Sequence, residues 1–167
     1  MSYDVYLFPP GTDDLEAAYL ALEDDEAEEG DRPTPEHEAE LRAIADELCS
    51  ANPRFELGGP FPSSPFWSLQ LFDERRDTVL VDFYPEFATA QISYGADDAG
   101  LAVSRLLECV RIFERNGYVA YDPQLERTID TEADAGAIEA IVVEIHDKTV
   151  AQLTAPRPSL FRRLLGR

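Results

Sequence analysis

The segment at 130–134, Asp-Thr-Glu-Ala-Asp, has the alternating acidic residues that open a calcium-binding EF-hand loop. That loop also requires a glycine at its sixth position and a bidentate glutamate at its twelfth. Those positions hold Ala135 and Ile141, which supply neither the turn nor the ligand. We therefore predict no metal site and no cofactor, beyond weak binding of divalent ions by the dense acidic run at 23–31.

Histidines and cysteines are the other residues that commonly ligate metals or act as nucleophiles. His37 and His146 are far apart, and neither has a cysteine or a second histidine at ligand spacing. We expect His37 to be solvated and His146 to have a capping or surface role. Cys49 and Cys109 lie within apolar helical patterns, which favours buried free thiols over a disulfide or a reactive thiol.

Motifs for covalent or phosphate chemistry are missing from the sequence, which has no nucleophile elbow, phosphate-binding glycine loop or paired Cys-x-x-Cys. Acid pairs such as Asp97 and Asp98 arise by chance among so many carboxylates. We therefore predict no catalytic residues. An enzyme is kept as an alternative, with a site at the Pro-rich loop around Ser63 and Ser64 or near Asp122, because catalytic groups assemble in space.

The first fifty residues hold sixteen Asp and Glu against two Arg, and the whole chain has a formal net charge of −20. Nucleic acid is excluded as a partner, because binding to phosphates depends on Lys and Arg. A basic protein is the expected partner, since clustered charge raises association rates by roughly 10–10³-fold and aromatic side chains anchor interfaces. The alternative is that the acidity serves only solubility. The predicted partner-binding residues are the densest acidic run and three aromatic residues near the Pro-rich loop: Glu23, Asp24, Asp25, Glu26, Glu28, Glu29, Asp31, Phe61, Phe66 and Trp67.

Length and composition indicate one globular domain, since 167 residues with 44% hydrophobic content can bury a substantial core. No window approaches the ~20 apolar residues of a membrane helix, and the N-terminus lacks the regions of a secretory signal. We therefore expect a cytoplasmic protein with no membrane partner, whose oligomeric state the sequence leaves open. Residues 1–155 form the predicted domain, and 156–167 form a short basic amphipathic tail, docked or frayed rather than a membrane anchor.

Hydrophobic periodicity predicts the elements of the N-terminal half. A strand at 3–8 ends at Pro-Pro-Gly, and a helix follows the capping residues at 12–14. Like-charge i,i+4 pairs predict that this helix frays near Glu23, with the acidic run as a mobile loop. A second helix begins at Pro35, capped by Thr34, and ends at about position 51.

The rest of the chain alternates as strands and then repeats as helices. A central helix at 97–116 ends at Asn-Gly, and a strand follows at 118–121. Residues 138–145 fit a helix, although the β-branched run within them would also suit a strand. An edge strand and an antiparallel meander with one buried face are predicted at 55–57, 66–72, 78–84 and 87–94.

These elements predict an α+β fold in a single domain. A mainly antiparallel sheet of about five strands is packed by two N-terminal helices and one long central helix, with a C-terminal helical extension. The predicted order along the chain is β-α-α-(β)-β-β-β-α-β-α.

Two segments carry a resemblance to known proteins. The start Met1-Ser2-Tyr3-Asp4 and the segment 117–124, Gly-Tyr-Val-Ala-Tyr-Asp-Pro-Gln, resemble a loose group of small uncharacterised bacterial proteins with an MSYD strand and a YDPQ element. That resemblance implies a shared fold and no activity. In size, acidity and architecture the chain is also similar to bacterial immunity proteins, which implies an inhibitor of a basic toxin.

Overall fold

The computed structural model describes residues 2–24, 32–60, 68–73, 79–93 and 98–154. Within these ranges, seven strands and four helices follow one another along the chain. Their order is β1 (Ser2–Phe8), α1 (Leu15–Asp24), α2 (Pro35–Ala51), β2 (Phe55–Gly58), β3 (Leu69–Asp73), β4 (Val79–Phe83), β5 (Ala88–Ser93), α3 (Ala99–Arg115), β6 (Val119–Asp122), β7 (Arg127–Thr128) and α4 (Ala135–Thr154).

The strands form one sheet in the order β2-β3-β4-β5-β1-β6-β7, in which every described pairing is antiparallel. The predicted α+β class and the antiparallel meander are confirmed. The strand count of about five is wrong, since the sheet has seven strands: β2, predicted as an edge strand, pairs at one edge, and β7, which was not predicted, pairs at the other with only two residues. Two residues are too few for an alternating pattern to reveal.

One face of the sheet is apolar and packs against α2 and α3. In β1, Tyr3, Val5 and Leu7 point to this face and are completely buried, since alternate side chains of a strand share a face. Register places Ala88 and Ala90 of β5 beside them, and these small side chains leave room for α3 to pack closely. The core therefore lies between this face and the two helices.

The helix ends follow the signals in the sequence. Thr34 accepts a hydrogen bond from the backbone N–H of His37 at 3.2 Å, and Asp98 accepts one from Leu101 at 2.9 Å. Gly117 follows α3 with φ +85°, a left-handed conformation that only glycine adopts readily. The predicted ends of α2 and α3 are therefore confirmed.

The segment at 138–145 lies within α4, so the helical alternative is the correct one. Ile138 and Val142 are one helical turn apart and both are buried, with α4 packed on α3. No helix in the described residues is long and apolar enough to cross a bilayer. The acidic run from Asp25 onward, the Pro-rich loop from Phe61 to Trp67 and the tail at 156–167 lie outside the described residues, and the predictions for them stay predictions.

Candidate functional site

The predicted partner-binding residues fall almost entirely outside the described part of the chain. Glu23 and Asp24 form the last residues of α1, but their side chains are not described. The remaining eight lie outside the described residues: Asp25, Glu26, Glu28, Glu29, Asp31, Phe61, Phe66 and Trp67. The structure instead reveals a candidate site on the sheet face opposite α2 and α3.

A line of polar and aromatic side chains crosses this second face. Register places Gln70 beside Asp82, Asp82 beside Thr89, Thr89 beside Tyr6, and Tyr6 beside Tyr121. We call these five residues the cross-strand row. They come from five different strands, and Asp82, Thr89 and Tyr121 are buried.

Tyr6 and Tyr121 form one end of the cross-strand row, which we call its tyrosine end, and other aromatic rings pack against it. The ring of Tyr19, from α1, lies 5.0 Å from that of Tyr6 and 5.7 Å from that of Tyr121, measured between centroids. Phe87 stacks on both Tyr6 and Tyr84, at 6.1 and 4.6 Å. Every described α1 side chain up to Leu22 is half-buried or exposed, and the Tyr19 ring contacts this face.

Acidic side chains surround the same end of the row. Burial raises the pKa of the Tyr121 phenol, and the negative charges of Glu16, Glu126, Asp122 and Asp14 raise this pKa further. The negative electrostatic potential that disfavours the charged phenolate of Tyr121 also attracts a positively charged group. The tyrosines of the cross-strand row therefore lie in a region of negative potential.

Asp82 is the least satisfied polar group of the row. Its side chain is 4% exposed, and its Oδ2 accepts a hydrogen bond from Nε2 of Gln91 at 3.1 Å. Its Oδ1 is also buried and accepts no hydrogen bond within the described part of the chain. Burial raises the pKa of Asp82, and the amides of Gln70 and Gln91 oppose that rise. A buried acceptor without a donor destabilises the folded state by about 1–3 kcal/mol. A hydrogen-bond donor that reached Oδ1 would recover part of this free energy.

A second buried carboxylate, Asp122, lies on the helix-packed face and is fully satisfied. It accepts hydrogen bonds from the hydroxyl of Tyr3 and from the backbone N–H groups of Gln124 and Leu125, the latter two at 2.7 and 3.2 Å. Burial raises the pKa of Asp122, and these hydrogen bonds oppose the rise. The segment Asp122-Pro123 ends β6 and shapes the turn to β7, so the contacts of Asp122 are those of a structural corner.

The acidic segment at 130–134 forms a hydrogen-bonded turn directly before α4. Oδ1 of Asp130 accepts the backbone N–H groups of Glu132 and Ala133, each at 2.9 Å, and Asp134 accepts that of Asp130 at 2.8 Å. The guanidinium of Arg127 binds both carboxylate oxygens of Asp134. Among the described residues, no cluster of His, Cys, Asp and Glu is arranged to hold a metal ion.

His37 corrects one prediction from the sequence. Its ring is 30% exposed rather than freely solvated, and its Nε2 lies 2.8 Å from the carbonyl oxygen of Pro85, between β4 and β5. The periodicity of α2 carried no information about that distant turn. His146 lies on α4 with its Nδ1 3.7 Å from Asp147, in keeping with a surface role.

A groove of about 330 Å³ opens beside His37, lined among others by Glu40, Asn116 and Tyr118. The Asn116 amide already donates to the Glu47 carboxylate and to the carbonyl oxygen of Ile112. His37 is held by Pro85 as well. The groove therefore offers less unsatisfied chemistry than the cross-strand row.

Both cysteines are free thiols, as predicted, although only Cys109 is fully buried and Cys49 is half-buried. Burial raises the pKa of Cys109 to about 12 and also raises the pKa of Cys49. Because the thiolate is the reactive form, we expect iodoacetamide to label Cys109 at least about a hundredfold more slowly in the native protein than in urea, with Cys49 labelled first. Mass spectrometry of timed samples measures both rates, and equal native rates would contradict this burial.

Comparison with known proteins gives no match to a family model, a curated protein or a solved structure. The two resemblances noted in the sequence therefore remain predictions.

Proposed function

We propose that the protein is a binding module for a basic protein partner, and that the tyrosine end of the cross-strand row is its contact surface. The main support for this proposal is the group of acidic residues around Tyr121, which includes Asp14, Glu16 and Glu126. Asp14 lies directly before α1, Glu16 lies in its first turn and Glu126 lies in the turn after β6, so separate parts of the chain supply one negative region.

The charge balance of the described residues supports this proposal. They include twenty-six Asp and Glu against eight Arg and Lys, a net of −18, so the acidity is not confined to the run at 23–31. At least four of the eight cations are engaged in internal ion pairs, and the carboxylates in the four described pairs are not the ones around Tyr121. The pairs are Arg42–Glu38, Arg115–Glu47, Arg127–Asp134 and Lys148–Glu144.

Aromatic rings add short-range attraction to the electrostatic field. Tyr6 and Tyr19 are half-buried, so their rings are partly available to a partner. Arginine and lysine side chains bind the faces of such rings with about 0.5–1 kcal/mol at exposed sites. The negative field would then speed encounter, while the rings would slow dissociation. Inhibition of a basic toxin, as by an immunity protein, is one physiological form that this binding would take.

We expect the triple variant Asp14→Asn, Glu16→Gln, Glu126→Gln to bind an Arg/Lys-rich peptide about tenfold more weakly than the wild type at low salt. Each exposed ion pair contributes about 0.2–1 kcal/mol, and three such losses give roughly that factor. Folding should persist, because Asn also caps a helix where Asp14 now accepts the N–H of Ala17 at 3.0 Å. Fluorescence anisotropy with a labelled peptide measures the affinity.

The matched control removes three exposed acidic residues from α3 and the α4 region, Glu108→Gln, Glu132→Gln, Glu139→Gln, and changes the net charge equally. It should change the affinity less than twofold. If both triple variants weaken binding to the same extent, the negative charge acts as a diffuse field that serves solubility, and the proposed contact surface is wrong.

A further inference from the structure

We propose that Asp82 is the acceptor for an organic cation carrying N–H donors, a guanidinium or a primary ammonium group, supplied by the bound partner. This inference rests on the proposed function and identifies Asp82 as the residue that binds a cationic group of the partner. Asp82 belongs to the same cross-strand row as the acid-surrounded tyrosines, separated from Tyr6 by Thr89 alone.

The geometry leaves one oxygen of Asp82 open. Gln91 donates a hydrogen bond to Oδ2 of Asp82, and the amide of Gln70 also interacts with this carboxylate. Oδ1 nevertheless has no donor at hydrogen-bond geometry within the described residues. More than about nine in ten buried polar groups in native proteins have a hydrogen-bond partner. The donor to Oδ1 therefore comes from outside the described residues, as an ordered water or a ligand group, and the buried negative charge of Asp82 favours a cationic ligand.

Access to this oxygen requires neighbouring side chains to move, because Asp82 is only 4% exposed. The side chains of Gln70, Gln91 and Tyr84 around it are each half-buried. In the proposed complex, the flexible amide side chains of Gln70 and Gln91 rotate away to admit the cation. The side chains of arginine and lysine are long enough for the terminal charged group to enter from the surface and reach Oδ1 of Asp82.

A cation suits the surroundings better than a neutral donor. A neutral ligand would leave the negative charge of Asp82 buried and uncompensated, whereas a cation both donates to Oδ1 and neutralises it. Tyr84 and Phe87 stack at 4.6 Å nearby, and aromatic faces attract the same groups.

Binding of this kind is linked to a proton. A cation binds the ionised carboxylate, and burial raises the pKa of Asp82 in the free protein. Cation binding therefore lowers that pKa and releases a proton wherever the free carboxyl is partly protonated. The affinity should rise with pH through the titration of Asp82 and become constant above it.

The test is calorimetric titration of the full chain with three peptides that differ at one position, Arg, Lys or the neutral isostere citrulline. We expect Asp82→Asn to weaken binding of the Arg or the Lys peptide at least tenfold and to leave the citrulline peptide unchanged. The larger loss identifies the cation that Asp82 receives. Glu56→Gln removes one exposed charge from the same face and should change each affinity less than twofold.

Two results would overturn the inference. One is an unchanged Arg and Lys affinity in Asp82→Asn. The other needs no variant: titrations of the wild type at pH values spanning the acid limb, in two buffers of different ionisation enthalpy, that show no proton release. The triple variant at Asp14, Glu16 and Glu126 would still weaken binding in either case if the proposed function is correct, so the two failures are distinguishable.

Discussion

Replacing Asp122 with alanine is expected to lower the free energy of unfolding by about 3–5 kcal/mol, the largest single effect that the described residues suggest. The carboxylate is fully buried and satisfies the Tyr3 hydroxyl together with the N–H groups of Gln124 and Leu125. Alanine leaves three donors without an acceptor and opens a cavity where β6 turns to β7. Urea denaturation followed by circular dichroism measures the change.

Two milder variants separate the parts of this effect. Tyr3→Phe removes one donor and should cost about 1–2 kcal/mol, since the backbone N–H groups keep their acceptor. Asp122→Asn keeps one oxygen that can accept the N–H groups of the turn. Its loss in free energy of unfolding should lie between those of Tyr3→Phe and Asp122→Ala. A loss below about 1 kcal/mol in Asp122→Ala would show that this corner is not a stabilising centre of the fold.

Replacing Asp82 with asparagine is expected to raise the free energy of unfolding by about 1–2 kcal/mol at pH 8, because it removes a buried charge with an unpartnered oxygen. The neighbouring amides of Gln70 and Gln91 can turn an oxygen toward the new N–H₂ group. Such a gain alongside weaker cation binding would be the usual exchange of stability for function at a binding site.

The pH dependence of that gain has a definite sign. Burial raises the pKa of Asp82 in the folded state above its unfolded value, so the native protein holds more protons in the window between the two pKa values. The stability of the wild type therefore falls as pH rises through this window, and Asp82→Asn removes that fall. Denaturation at pH values from 4 to 8 should show the difference growing with pH, and a constant or inverted difference would contradict the assignment.

Most elements of the fold follow from local patterns in the sequence. The hydroxyl of Thr34 caps α2 as predicted, and the carboxylate of Asp98 caps α3 at the predicted start of the central helix. Both follow from local sequence, because capping depends on residues three positions apart. The antiparallel meander of β3, β4 and β5 was predicted from the alternation of apolar and polar residues, which is also a local pattern. The short strand β7 escaped because its two residues pair with β6 through register alone.

The candidate site escaped for a different reason. Asp82 interrupts the apolar strand Val-Leu-Val-Asp-Phe, which was the one signal that could have marked it, but alternation alone assigned it to the outward face. Its position in a row with Thr89, Tyr6 and Tyr121 depends on β1 lying between β5 and β6, which no local pattern encodes. His37 was misjudged in the same way, since its partner Pro85 is distant in sequence.

The sequence by itself determined the class of fold, the ends of α2 and the excess of negative charge, because each depends on composition or on contacts within a few residues. Tertiary structure alone decided which carboxylates are buried, which of them has an oxygen without a donor, and which tyrosines lie among acidic side chains. Those properties depend on strand order and register, and these are set by the packing of the whole sheet against its helices.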